Sequence, residues 1–159
     1  MKGRIMKYGG VVLSVKDINK ARTFYEEMFG LVVYQDYGIN ISFTCGLALQ
    51  QEFHWLIGLA KEQVMEKTNN IEVYFEEEQF DLFVNRLSAC GEIEILGNVI
   101  EHGWGQRVVR FYDPDGHLIE VGESMKMVIK RFLDRGMTME EIAEKMDASV
   151  ADLEKIRES

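Results

Sequence analysis

The side chains best equipped for chemistry cluster in one stretch, Arg110-Phe111-Tyr112-Asp113-Pro114-Asp115-Gly116-His117-Leu118-Ile119-Glu120-Val121. A guanidinium, a phenol and a carboxylate stand here on either side of Pro114, the only proline of the chain. Proline followed two positions later by glycine suits a type I turn, with Gly116 free to take positive φ and close a hairpin. Side chains on a strand alternate with period two, so Ile119 and Val121 share one face while Leu118 and Glu120 share the other. On the strand before the turn, Arg110 and Tyr112 share the face of Val108, opposite Val109 and Phe111. Glu120 thus points away from the apolar face, toward solvent or toward a polar cavity. An inward Arg110 suits a substrate carboxylate or phosphate held by two hydrogen bonds, or else a salt bridge to Glu120 or Glu72.

Two other segments could form a rim over a ligand: His54-Trp55, and the aromatic, glycine-rich His102-Gly103-Trp104-Gly105. Packing on a domain edge explains either as well. The chain has no Gly-Lys-Ser/Thr phosphate loop, no Gly-x-Ser-x-Gly elbow and no His-Glu-x-x-His helix. Glu76-Glu77-Glu78 leads into a helix and complements its dipole rather than forming a metal cluster.

Those residues need a frame, and the hydrophobic periodicity supplies one. Residues 8–15 alternate as a strand. Asp17 caps a helix with an apolar stripe of Ile18, Ala21, Tyr25 and Met28, ended by Gly30. Strands are expected at 31–37, 41–45 and 47–51. After a polar connection over 52–69, with a helical turn expected around 60–66, the pattern restarts. A strand carries Ile71, Val73 and Phe75, and a helix carries Phe80, Phe83 and Leu87 and is ended by Gly91. Strands follow at 92–96, 106–112 and 117–122. An offset of about 62 residues superposes Ile18 on Phe80, Ala21 on Phe83 and Tyr25 on Leu87. Each unit is thus a curved sheet with one apolar face covered by its own helix.

With 47% hydrophobic residues the chain can bury a sizeable core, and its net charge of −9 argues against nucleic acid or an anionic membrane as partner. Cys45 and Cys90 are too few for a disulfide framework or a zinc site. The N-terminal charges at Lys2, Arg4 and Lys7 precede too short an apolar run for a signal peptide, and no stretch has the 18 or so apolar residues of a membrane span. A cytoplasmic protein is expected.

The run from Phe111 to Glu120 resembles the closing hairpin of the vicinal oxygen chelate superfamily, the group of glyoxalase I, bleomycin-resistance proteins and extradiol dioxygenases. Leu13-Ser14-Val15-Lys16-Asp17-Ile18, with Phe24-Tyr25 and Phe29-Gly30, resembles that family's opening strand and helix. The resemblance covers roughly residues 5–124. It implies an α+β fold of two β-α-β-β-β units, about 5–51 and 70–124, whose curved mixed sheets enclose a small-molecule cavity.

In metal-using members of that family four inward side chains hold a divalent ion. Carried over one at a time, those positions fall on Glu120, on Glu72 if the 62-residue offset holds, on Gln50, and on Gly10 where His or Gln is usual. Glu120, Glu72 and Gln50 are therefore the implied metal ligands. Oxygen donors of this kind suit Mg²⁺, Mn²⁺ or Ca²⁺ better than Zn²⁺ or Ni²⁺. With Gly10 contributing nothing, the alternative is a metal-free cavity with Glu72 and Glu120 facing one hollow, solvated or bonded to Gln50 and Tyr74. Converging carboxylates raise one pKa and can serve as general acid and base toward a carbon acid beside a carbonyl. Glu120 and Glu72 are the catalytic candidates, and Arg110, Tyr112, Tyr74, Gln50, Trp104 and Trp55 the substrate-binding ones.

Residues 125–159 lie outside the resemblance and read as wholly helical. Thr138-Met139-Glu140-Glu141 forms a capping box, and Gly136–Met146 followed by Ser149–Ile156 looks like two helices of a helix-turn-helix. A DNA-reading second helix should be basic, but here Lys155 and Arg157 face Asp152, Glu154 and Glu158. Docking on the domain, covering the site of a neighbouring copy, or a homodimer contact is the expected use, and the sequence does not choose among them. The expectation overall is a glyoxalase/bleomycin-resistance-type protein binding a small molecule, its metal site degraded or absent. The alternative is a metal-dependent lyase, isomerase or dioxygenase of glyoxalase I type.

Overall fold

The computed structural model of the chain describes residues 3–159; Met1 and Lys2, with the charge expected there, lie outside the described residues. Two compact units emerge, residues up to 68 with 114–117, and 69–113 with 118–159.

In the first unit, β1 (Val11–Val15), β2 (Val33–Asp36), β3 (Asn40–Phe43) and β4 (Leu47–Gln51) form a mixed sheet of order β1-β4-β3-β2, with β1 parallel to β4. Helix α1 (Ile18–Phe29) begins where Asp17 accepts from the backbone of Asn19 and Lys20, and ends at Gly30 in the left-handed conformation. Its stripe of Ile18, Ala21 and Tyr25 is buried together with Leu13, Val15, Ile41, Phe43 and Leu49. The polar connection is more ordered than its composition suggests. It contains a five-residue helix, α2 (Phe53–Ile57), and a 3₁₀ turn at Lys61–Gln63. Glu52 opens α2 with φ 53° and no side-chain cap, so no capping signal marks it in the sequence.

The second unit repeats the topology. Strands β5 (Glu72–Glu77), β6 (Ile95–Glu101), β7 (Arg107–Tyr112) and β8 (Leu118–Glu123) take the order β5-β8-β7-β6, with β5 parallel to β8. Helix α3 (Phe80–Ala89) buries Phe80, Phe83 and Leu87, the positions that the internal repeat superposes on Ile18, Ala21 and Tyr25. It ends at Cys90 without a left-handed cap, so Gly91 is not the terminator expected of it. Strand β6 starts and ends later than the expected 92–96. A register shift between Leu96 and Ile100, with Gly97 at φ 72°, interrupts the alternation that would have marked it.

Beyond β8, α4 (Met125–Asp134), α5 (Met139–Met146) and α6 (Val150–Glu158) share a core of Val128, Ile129, Phe132, Ile142, Ala143 and Leu153. The expected capping box is present: Glu141 N–H donates to Thr138 Oγ1 and Thr138 N–H to Glu141 Oε2. Ser149 caps α6 through its Oγ, which accepts from Asp152 N–H, and Arg157 is paired with Glu154. No described helix is long and apolar enough to cross a membrane.

Candidate functional site

The register of the second sheet decides which side chains meet. Tyr74 lies opposite Glu120, Arg110 opposite Glu120 on the other side, and Glu72 and Tyr112 both opposite Leu118. Glu72, Tyr74, Arg110, Tyr112 and Glu120 therefore share one face. The other face carries Val73, Phe75, Val109, Phe111, Ile119 and Val121 toward α3. The two glutamates expected to converge do so on neighbouring parallel strands of one sheet.

Glu120 is only 7% exposed. Arg110 is shared between the two acids, its Nη2 donating to Glu120 Oε1 at 2.8 Å and its Nε to Glu72 Oε2 at 3.3 Å. The salt bridge anticipated as one of two roles for Arg110 is the arrangement found. Burial, together with the hydrogen bond to Glu72, pushes the Glu120 carboxyl up to about 7, with the Arg110 guanidinium opposing both. A neutral acid beside an ionised one is the expected state of such a pair. His102 Nε2 stands 3.9 Å from Glu120 Oε1. Its ring stacks on Trp104 at a centroid separation of 4.3 Å, so the glycine-rich loop brings both rings to the paired acids.

The phenols are less available than their types suggest. Tyr112 donates to Asn69 Oδ1 at 2.7 Å, which makes it a latch to the start of β5. Tyr74 donates to Glu76 and accepts from Gln106 Nε2 at 2.8 Å, and burial, with the Glu76 carboxylate, pushes its pKa up to about 12. It is a neutral donor rather than a base. Gln106, which the sequence reading passed over, is buried and links three elements. It accepts from Trp104 Nε1 and donates to Tyr74 Oη and to the Glu123 carbonyl. Only its place just before an alternating strand could have drawn attention to it.

Gln50 and Trp55 belong to the first unit. The Gln50 side chain is 2% exposed and committed, accepting from Asn40 Nδ2 and donating to the Gln51 carbonyl. Trp55 is 68% exposed on α2. Gly10 is more than a missing ligand. Its φ is 121°, and a Cβ built there would lie inside the envelope of the Gly46 carbonyl oxygen, which accepts from Val11 N–H. No side chain of any kind fits at that position.

These observations test the divalent ion that the fold implies. Of the four positions, Gly10 has no room for a donor, the Gln50 amide is already bonded on both atoms, and Glu72 and Glu120 hold a guanidinium between them. Among the described residues no three His, Cys, Asp or Glu side chains stand close enough to hold an ion. The donor set does not fit a resident metal.

A family model described as "Glyoxalase-like domain" matches residues 8–126. The chain belongs to that family. The expected vicinal oxygen chelate architecture is thereby borne out, with two four-stranded mixed sheets, each described above. A fosfomycin resistance protein, FosX, of Listeria innocua is 31% identical over 116 residues, 70% of this chain and 84% of that one. A protein of unknown function from Agrobacterium tumefaciens has a crystal structure with 32% identity and TM-score 0.65, covering 77% of this chain and 98% of its own. The crystal structure of FosX from Listeria monocytogenes gives 26% identity and TM-score 0.55, over 76% and 94% of the two chains.

Proposed function

We propose that the face formed by Glu72, Tyr74, Arg110 and Glu120 binds a small organic molecule and that Glu120 carries a proton to or from it without a bound metal. The observation that supports this best is the near-neutral pKa of a 7% exposed glutamate whose neighbour and counter-ion are both in hydrogen-bond reach. An acid that is half-protonated at neutral pH is matched to general acid–base work. Glu72 Oε2 accepts from Arg110 Nε and so helps hold the guanidinium. The guanidinium orients a carbonyl or oxyanion of the ligand while Glu120 exchanges the proton. The stacked His102 and Trp104 give an apolar, planar surface for the rest of the ligand. Suitable substrates have an acidic C–H beside a carbonyl, or a strained C–O bond that breaks as water adds to the carbon and the departing oxygen takes the Glu120 proton. The names of the FosX relatives make fosfomycin the first compound to try.

The test is calorimetric binding and turnover of fosfomycin, α-keto acids and thiol adducts of 2-oxoaldehydes, with and without EDTA. Glu120→Gln should lower turnover of any responding compound by about 100-fold, the usual weight of one acid–base group, and EDTA should change nothing. Unchanged turnover in the Gln variant would end the acid–base assignment. Activity that EDTA abolishes and Mn²⁺ or Mg²⁺ restores would favour the metal-dependent lyase or isomerase reading instead.

A further inference from the structure

The C-terminal helices lie almost wholly outside the family match, which stops at residue 126, yet one of their side chains reaches the loop that carries His102 and Trp104. Arg131 of α4 has a side chain only 19% exposed. Its Nη2 donates to the Gly105 carbonyl at 2.5 Å, its Nη1 to Glu101 at 3.2 Å and its Nε to Glu123 Oε1 at 3.2 Å. One guanidinium thus ties the end of β6, the tip of the β6–β7 hairpin and the end of β8. Arg107 holds the same buried Glu123 from the other side at 2.6 Å.

Packing reinforces the hydrogen bonds. Gly105 has φ 92°, and a Cβ there would run into the ring of Phe132, so the hairpin tip lies directly on that ring. Phe132 is 4% exposed and sits in the α4–α5–α6 core, with Lys145 of α5 over its ring at 5.6 Å. A ten-residue helix is marginal alone. Helices α5 and α6 supply the burial that keeps α4, and with it Arg131 and Phe132, in place. From Gly105 the path is short. Its N–H bonds to the His102 carbonyl at 2.8 Å, and His102 stacks on Trp104 beside Glu120.

We propose that the C-terminal three-helix bundle is a built-in buttress of the candidate site, with Arg131 and Phe132 as positioning residues that hold the His102–Trp104 platform over the paired glutamates. Its meaning for catalysis rests on the reading of Glu120 given above. The coupling itself is measurable without any substrate.

The experiment uses the full chain carrying Trp55→Phe, so that Trp104 is the sole emitter. Acrylamide quenching of Trp104 is measured in that background and with Arg131→Met added, which keeps the apolar stem and leaves Glu123 its bond to Arg107. The quenching constant should at least double in Arg131→Met. Arg131→Lys, which restores a cation without the fork, should fall between the two. Ile41→Val, a loss in the core of the first unit and outside the bundle, should leave the constant at its starting value. Wild-type quenching in a folded Arg131→Met protein would overturn the proposal. So would an equal rise in Ile41→Val, which would mark general loosening. If Arg131→Met does not fold, Arg131→Lys decides: a raised constant supports the buttress and an unchanged one overturns it. A failure of Glu120→Gln to affect turnover leaves these readings intact, so the two claims fail separately.

Discussion

Replacing Glu120 by Gln should change how stability depends on pH, because this carboxyl holds its proton more tightly folded than unfolded. The ordinary value is 4.5 and the folded one about 7. Between those limits the unfolded chain is ionised while the native chain is protonated, so stability falls as pH rises. The contribution is fully present below 4.5 and lost once pH passes 7. The full span corresponds to about 3 kcal/mol, and the part between pH 5.5 and pH 8 to about 2 kcal/mol. Gln cannot titrate, so it removes the slope. The Gln carbonyl can still accept from Arg110, so the offset below pH 7 should be small. Urea unfolding at both pH values is the assay. The wild-type midpoint should drop between them by about 1 M more than the midpoint of Glu120→Gln, for an m-value of about 2 kcal/mol/M. Parallel changes in the two proteins would show that Glu120 titrates normally and would refute the proton-carrying role.

Three further perturbations probe the frame around that acid. Arg110→Met leaves two carboxylates on one sheet face without their shared cation, so at pH 8 it should cost about 2–4 kcal/mol, with a much smaller loss at pH 5, read by the same urea titrations. Gly10→Ala places a methyl against the Gly46 carbonyl at a φ of 121°, and should destabilise the first unit by about 2–4 kcal/mol, with loss of hydrogen-exchange protection confined to β1 and β4. Thr138→Ala removes the N-cap of α5 and should cost about 1 kcal/mol, visible as faster exchange of the amides of that helix.

Local pattern carried the reading far where local physics decides the structure. The stripes Ile18-Ala21-Tyr25 and Phe80-Phe83-Leu87 are buried, the Asp17 and Thr138 caps are in place, and the proline–glycine turn joins β7 to β8 with Gly116 at φ 83°. The pairing of Glu72 with Glu120 was implied by the family resemblance, carried over through the offset between repeats, and the parallel register of β5 with β8 places them together. What stayed hidden depends on contacts between residues far apart in the chain. Gly10 could be read as a missing ligand, but only the approach of the Gly46 carbonyl shows that nothing else fits. The bond from Arg131 to Gly105 spans 26 residues and joins a helix to a loop, which no periodicity encodes. Strand β6 was expected too early and too short because its irregular register at Gly97 breaks the alternation by which strands are found.

The most direct measurement is the titration of Glu120 itself, by isotope-edited infrared or carbon-13 NMR of labelled glutamate carboxyls, with Glu120→Gln to assign the signal. A protonated carboxyl persisting at pH 6 and titrating near 7, absent from the Gln variant, is the expected result. A Glu120 signal fully ionised by pH 5.5 would contradict it.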